Sequence, residues 1–271
     1  MELYKKKEKL EEVLRSYGSA AVAFSSGVDS TFLLKVARDV LGDAVMAVTV
    51  RSAFCPAREA DEAAAFCARE GIRHRILEAD VLGVPGVAAN PPDRCYLCKR
   101  ALFTLISRAA GEAGMAVTAE GSNMDDLGDY RPGLRAVEEL GIRSPLREAG
   151  LYKEEIRQLS REMGLPTWDK PAFACLASRF VYGQEITASK LAMVEKAEEF
   201  LMQRGFRQLR VRLHGTLARI EVEEKDLPRL LAPALARETD EYFRGLGFSY
   251  VTADLRGYRM GSMNRDLEKD A

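Results

Sequence analysis

The apolar run Ala20-Ala21-Val22-Ala23-Phe24 stops at a cluster of small residues, Ser25-Ser26-Gly27-Val28-Asp29-Ser30. The chain then takes up helical spacing, with apolar residues at Phe32, Leu33, Val36, Ala37 and Val40. Five residues are too few for a helix, so the run reads as a buried strand, and 30–41 as the helix that follows it. The same order recurs. A helix is expected over 3–17, strands over 44–50, 72–77 and 115–120, and helices over 56–70 and 95–113. Pro56 suits a helix start and Gly71 a helix end. Repeated βα units imply a mostly parallel sheet covered on both faces.

The pattern changes past residue 165. The stretch 165–184 holds Pro166, Pro171 and Gly183 with little periodicity and reads as a long functional loop. A helix is expected over 187–204, strands over 207–213 and 218–222 around a turn at Gly215, helical pattern within 226–246, and a strand over 248–253. The expected organisation is an α/β domain over 1–168 and a smaller α+β domain over 169–271, with loop 165–184 linking them.

The 271 residues and 47% hydrophobic content suffice for a substantial core. The formal net charge of −1 lacks the basic excess of a dedicated nucleic-acid binder. No apolar run approaches a membrane span and the first residues hold no apolar signal core, so a cytoplasmic protein is expected.

The cluster at 25–30 lies at the carboxyl end of a strand and the start of a helix. Ligands bind there in parallel sheets, and unpaired N–H groups and the helix dipole favour anions. Small residues admit a phosphate, and Ser25, Ser26 and Ser30 add hydroxyls. Asp29 makes sense beside a phosphate if Mg²⁺ bridges the two. No Walker lysine follows Gly27. The loop resembles that of the PP-loop ATP pyrophosphatases (adenine nucleotide alpha hydrolase-like, with a Rossmann-like sheet), usually Ser-Gly-Gly-x-Asp-Ser. The resemblance implies ATP, cleavage between its α- and β-phosphates, and adenylation of a substrate oxygen. Ser26 replaces the usual glycine, so its backbone either stays in an ordinary region or carries strain. The stretch Glu120-Gly121-Ser122-Asn123-Met124-Asp125-Asp126, after another strand, is similar to the Gly-Thr-Asn-x-Asp-Asp stretch of adenylating relatives. It is expected to line the nucleotide through Gly121, Asp125 and Asp126 or bind a second Mg²⁺.

Cys95 and Cys98 form a CxxC at a helix start, where the dipole, Arg94 and Lys99 favour thiolates. Cys175 stands in Ala174-Cys175-Leu176-Ala177-Ser178-Arg179. Structural zinc needs a fourth ligand, and neither His74 nor His214 lies beside a cysteine. Three cysteines suit a [4Fe–4S] cluster with one open iron. A redox CxxC and a buried, inert Cys175 are the plainer alternatives. Cys67 reads as core, and Cys55 has no obvious partner.

These motifs, with Asn90-Pro91-Pro92-Asp93-Arg94-Cys95 and the tail Asp254-Leu255-Arg256-Gly257-Tyr258-Arg259-Met260-Gly261-Ser262-Met263-Asn264, resemble the LarE family over nearly the whole chain. The resemblance implies a homo-oligomeric sulfurtransferase of nickel-pincer nucleotide synthesis that acts on pyridinium-3,5-biscarboxylic acid mononucleotide, a small nucleotide substrate. ATP adenylates a carboxylate, and sulfur displaces AMP. Some members sacrifice the cysteine matching Cys175. Others hold a [4Fe–4S] cluster on three cysteines, and Cys95, Cys98 and Cys175 align this chain with them. Asp29 and Cys175 are expected at the reacting centre, and Ser25 to Ser30, Val28 included, around the nucleotide; Arg179, close after Cys175 in the chain, is expected beside them in contact with a phosphate or carboxylate. Arg210 and Arg212, on one face of a predicted strand, are expected to meet the substrate phosphate, with Arg256 and Arg259 as weaker candidates. A tRNA thiolase, an ammonia-using synthetase and a non-catalytic nucleotide-binding module are the competing readings.

Overall fold

The computed structural model describes all residues except 1, 129–131, 172–173, 260 and 264–271. Ala172 and Phe173 of the 165–184 stretch and Met260 and Asn264 of the tail motif therefore lie outside the described residues. The chain divides into two compact units, one of 1–84 with 95–173 and the other of 85–94 with 174–271.

In the first unit, α1 (Glu2–Tyr17) precedes β1 (Ala20–Ala23), α2 (Val28–Leu41), β2 (Val45–Arg51), α3 (Ala57–Glu70), β3 (Arg73–Glu78), α4 (Arg94–Glu112, whose first residue is grouped with the second unit) and β4 (Val117–Ala119). The strands run parallel in the order β3-β2-β1-β4. Side chains alternate across this sheet. Val22, Val45 and Ala47 join α1, α2 and α3 through Leu10, Phe32, Leu33 and Phe66. Ala21, Met46 and Val48 join α4 through Phe103 and Ile106. Burial on both faces explains why β1 is apolar throughout and β2 is apolar from Val45 to Val48. Each fully buried Leu or Phe of this core, such as Phe32 and Leu33, contributes about 1.5–3 kcal/mol.

Helix α2 starts two residues before its expected position, because the backbone is already helical from Val28 with Gly27 as the extended N-cap. Between Asp126 and Leu165, where the sequence pattern names no element, α5 (Gly133–Glu139), α6 (Pro145–Glu148) and α7 (Lys153–Glu162) follow.

The second unit holds α8 (Ala188–Gln203), β5 (Leu209–His214), β6 (Leu217–Val222), α9 (Leu227–Leu230), α10 (Pro233–Leu246) and β7 (Tyr250–Ala253). Strand β6 is central, antiparallel to β5 and parallel to β7. Thr187 caps α8 by accepting from the Lys190 amide. Segment 85–94 is tied into this unit by Asn90, which is fully buried with φ +54°. Its side-chain amide donates to the Val181 carbonyl at 2.7 Å, and its own carbonyl accepts from Gly183 at 2.9 Å. Most of 165–184 is loop as expected, with a 3-10 turn at Leu176–Arg179. No helix of the described residues is long and apolar enough to cross a membrane.

Candidate active site

Order β3-β2-β1-β4 places β1 between β2 and β4, so the chain direction of the crossovers reverses there, the usual ligand position of such sheets. The loop after β1 and the loop after β4 meet at that point. Gly121 lies so close to the start of α2 that a Cβ on it would sit 3.1 Å from the Ser30 amide nitrogen and 3.3 Å from its Cα. The Glu120 carboxylate is buried and accepts from the Ser122 amide (3.1 Å), the Ser122 hydroxyl (2.7 Å) and the Ser144 hydroxyl (2.6 Å). That network fixes the second loop against the first.

The phosphate loop is closed on itself. The Ser25 amide donates to Ser30 Oγ at 3.3 Å, the two hydroxyls lie 3.1 Å apart, and Ser30 Oγ donates to the Gly27 carbonyl. Helix α2 has no side-chain N-cap, which leaves its first amides free of the usual internal competitor for an anion. Ser26 adopts φ +52° and is almost fully buried. The left-handed conformation costs a non-glycine residue about 1–2 kcal/mol, so strain is carried here. Ser26 Oγ donates to the Glu59 carbonyl at 3.2 Å, and Lys170 Nζ donates to the Ser26 carbonyl at 3.0 Å and to Glu62 at 2.5 Å.

Asp29 and Asp125 fall into one network. Lys153 Nζ pairs with Asp29 Oδ2 at 2.5 Å, Asn123 Nδ2 donates to Asp29 Oδ1 at 3.3 Å, and the Lys153 amide donates to Asp125 at 2.7 Å. Asp126 is buried and accepts from the Asn123 amide. Two accessible carboxylates beside a phosphate cradle fit Mg²⁺, which takes few protein oxygens and completes its shell with phosphates and water. Sequence reading gives Lys153 and Lys170 no role, and includes Glu120 and Asn123 only as members of their motif. The signal for Lys153 is its place as the first residue of a helix whose Glu155 caps the Tyr152 amide.

Cys95 and Cys98 stand three apart in the first turn of α4 and therefore on one helix face, each half-buried. Cys175 precedes the 3-10 turn of the second unit, also half-buried, and its carbonyl accepts from Ser178 and Arg179. Among the described residues no group of three or more histidine, cysteine or acidic side chains is already gathered for a metal ion. Two thiols on one helix face and a third in a separate motif still supply the soft donors an iron–sulfur cluster takes. Burial pushes the Cys67 thiol up to about 12, in keeping with core packing. Cys55 receives a 3.7 Å contact from the Ser52 hydroxyl.

In the second unit, Arg179 makes a two-pronged pair with Glu198 (2.9 and 2.8 Å), both buried. Burial alone would raise the Glu198 carboxyl, but Arg179, Arg210 and the Val211 amide hold it below the usual carboxylate range. Arg210 and Arg212 share one face of β5, as their spacing implies, with Glu221 and Arg219 their register partners on β6. Arg212 pairs with Glu221 and donates to the Ser178 carbonyl and Ser262 hydroxyl. Arg219 also pairs with Glu221. Burial, then the nearby Arg179, push the Arg210 guanidinium down to about 10. Arg179, Arg210, Arg212 and Arg219 thus cluster around Glu198, Glu221 and Asp254, the last 3.8 Å from Arg219, and such a group of guanidiniums suits an anionic ligand. Arg256 is exposed, and Arg259 lies 3.6 Å from Asp254.

No family model matches the chain. It is 38% identical to the pyridinium-3,5-bisthiocarboxylic acid mononucleotide synthase of Lactiplantibacillus plantarum, covering 97% of this chain and 95% of that protein. An uncharacterised protein of Synechocystis is 43% identical, covering 96% of this chain and 98% of that one. A subunit of the glutamine-hydrolysing GMP synthase of Thermoplasma acidophilum is 27% identical over 66% of this chain and 62% of its own length.

Proposed function

Since the chain belongs to the LarE family of PP-loop enzymes, we propose that it is an ATP-dependent, cytoplasmic sulfurtransferase acting on pyridinium-3,5-biscarboxylic acid mononucleotide. The product is the thiocarboxylate used in nickel-pincer nucleotide synthesis. The carrying observation is the closed Ser25–Ser30 loop at the switch of the sheet, with Asp29, Asn123 and Lys153 in one network beside it.

In this reading the small residues and first amides of α2, with Ser25, Ser26, Gly27, Val28 and Ser30, hold the triphosphate, and Gly121 keeps the second loop close. Asp29 with Asp125 or Asp126 would hold Mg²⁺, which neutralises phosphate charge when bound. Lys153 then has phosphate oxygens as its partners in place of Asp29. A substrate carboxylate oxygen attacks the α-phosphorus, the bond to the bridging oxygen breaks, and pyrophosphate carries away its electrons. A sulfur nucleophile next adds to the acyl carbon and AMP departs, leaving the thiocarboxylate. Arg210 and Arg212 receive the substrate phosphate at the guanidinium cluster around Glu198 and Glu221. Arg179 fixes the Cys175 turn through the two carbonyls it holds, those of Ala174 and Cys175. Cys95, Cys98 and Cys175 would hold a [4Fe–4S] cluster, which when bound supplies an open iron to carry the transferred sulfide. A homo-oligomer is part of the same reading.

The test is anaerobic purification with iron and sulfide analysis, followed by turnover with ATP and added sulfide. The expected result is iron-bearing protein that turns over repeatedly and loses repeated turnover in Cys95→Ala. Iron-free protein that thiolates once per chain overturns the cluster and leaves Cys175 as a sacrificial donor. Absence of any ATP-dependent thiolation overturns the whole reading.

A further inference from the structure

We propose that Lys170 is a positioning residue for the phosphate loop, holding Ser26 in the left-handed conformation that shapes the nucleotide cradle. The inference rests on the ATP-binding reading above.

Only Ser26 and Asn90 among the described non-glycine residues have positive φ. Asn90 is a residue type that tolerates the region well, whereas Ser26 is not. Something outside the loop must therefore hold Ser26 in place. The ammonium of Lys170 meets the Ser26 carbonyl at 3.0 Å and lies 3.4 Å from its hydroxyl. Glu62 on α3 receives the same ammonium at 2.5 Å and lies 3.4 Å from Ser26 Oγ. The Lys170 side chain is largely buried by these contacts, with 18% exposure.

The lysine is itself anchored. Arg157 on α7 donates to the Trp168 carbonyl at 2.7 Å and to the Lys170 carbonyl at 2.8 Å, so the backbone that carries the ammonium is bound to a regular helix. A trans peptide turns its carbonyl and the next N–H in opposite directions. Fixing the Ser26 carbonyl on Lys170 therefore aims the Gly27 N–H the other way and sets the course of the chain into α2. A glycine at 26 needs no such support, since it enters the left-handed region freely. Lys170 thus does for serine what the missing side chain does for glycine. It also lies five residues before Cys175, so the support of the phosphate loop comes from the chain segment that leads to that thiol.

The experiment is a four-variant cycle read by calorimetric titration of the full chain with ATP and Mg²⁺. Lys170→Met is expected to weaken ATP binding roughly tenfold. In the Ser26→Gly background the same change is expected to cost less than about twofold. Unaltered affinity in Lys170→Met overturns the proposal. So does a loss that persists at full size beside Ser26→Gly, which would make Lys170 a ligand of the phosphates. Should Lys170→Met fail to fold, Glu62→Gln takes its place, with an expected loss of about threefold that Ser26→Gly removes; no loss, or a loss that survives Ser26→Gly, overturns the proposal. Failure of the wild-type protein to bind ATP refutes the nucleotide reading instead.

Discussion

Gly121 and Glu198 show how single residues carry the two halves of the proposed chemistry. A methyl group on Gly121 meets backbone atoms at 3.1 and 3.3 Å, and backbone yields less readily than a side-chain tip. Gly121→Ala is expected to cost about 1–3 kcal/mol and to weaken ATP binding, as urea unfolding and titration will show; unchanged values for both would mean that the loops part without loss. Glu198 is held below the ordinary carboxylate range in the folded chain, so on acidification the unfolded chain takes up the proton first. Its stability contribution is complete above the ordinary glutamate value, about 4.3. It is lost as pH falls from there through the folded value. Glu198→Gln leaves Arg179 without its buried partner, a cost of roughly 3–5 kcal/mol at neutral pH. The same variant is expected to show a shallower loss of stability below the glutamate range, measured by denaturant titration across pH. Such partners are hidden from sequence: the spacing of Arg210 and Arg212 gives their shared face, but nothing in it names Glu221 on the next strand or Glu198 on helix α8.

Elements were more legible than contacts. The strands β1, β2 and β3 and the helices α1, α3 and α4 fall within a residue or two of their expected places, because apolar runs and Gly71 mark them. The region 127–164 was opaque. Helices α5 and α6 have seven and four residues, too few for a periodic pattern to declare itself. That region also supplies Lys153, so the site was incomplete where the fold was. Segment 85–94 depends on one residue whose role no pattern reveals. Asn90 combines a left-handed backbone with a buried amide and accepts from Arg94. Asn90→Gly and Asn90→Ala both lose the amide, but glycine keeps the backbone free of strain. Asn90→Ala is therefore expected to be the less stable by about 1 kcal/mol, measured by urea unfolding; equal stabilities would show that the conformation carries no strain.

At the scale of the molecule, the near-zero charge and the relatives matched along almost their whole length agree with an enzyme of a small substrate. The family is readable from motifs because phosphate chemistry leaves few choices at a strand end, and the parallel sheet and the α+β character of the smaller part from apolar runs, whereas the parallel pairing of β7 with β6 has no signal in the sequence. Which thiols share an iron, by contrast, depends on arrangement that no spacing encodes. The position of β1 has one more consequence. Hydrogen-bonded on both sides to β2 and β4, its amides cannot exchange with solvent by fraying at an edge. Under deuterium labelling, β1 is expected to open only with the unfolding of its whole unit, while the exposed, one-sided β3 exchanges sooner. The cradle is thus rooted in one of the two strands of its sheet that are flanked on both sides, β1 and β2, and nucleotide binding will slow exchange even at this root, because it raises the free energy of the unfolding through which β1 opens.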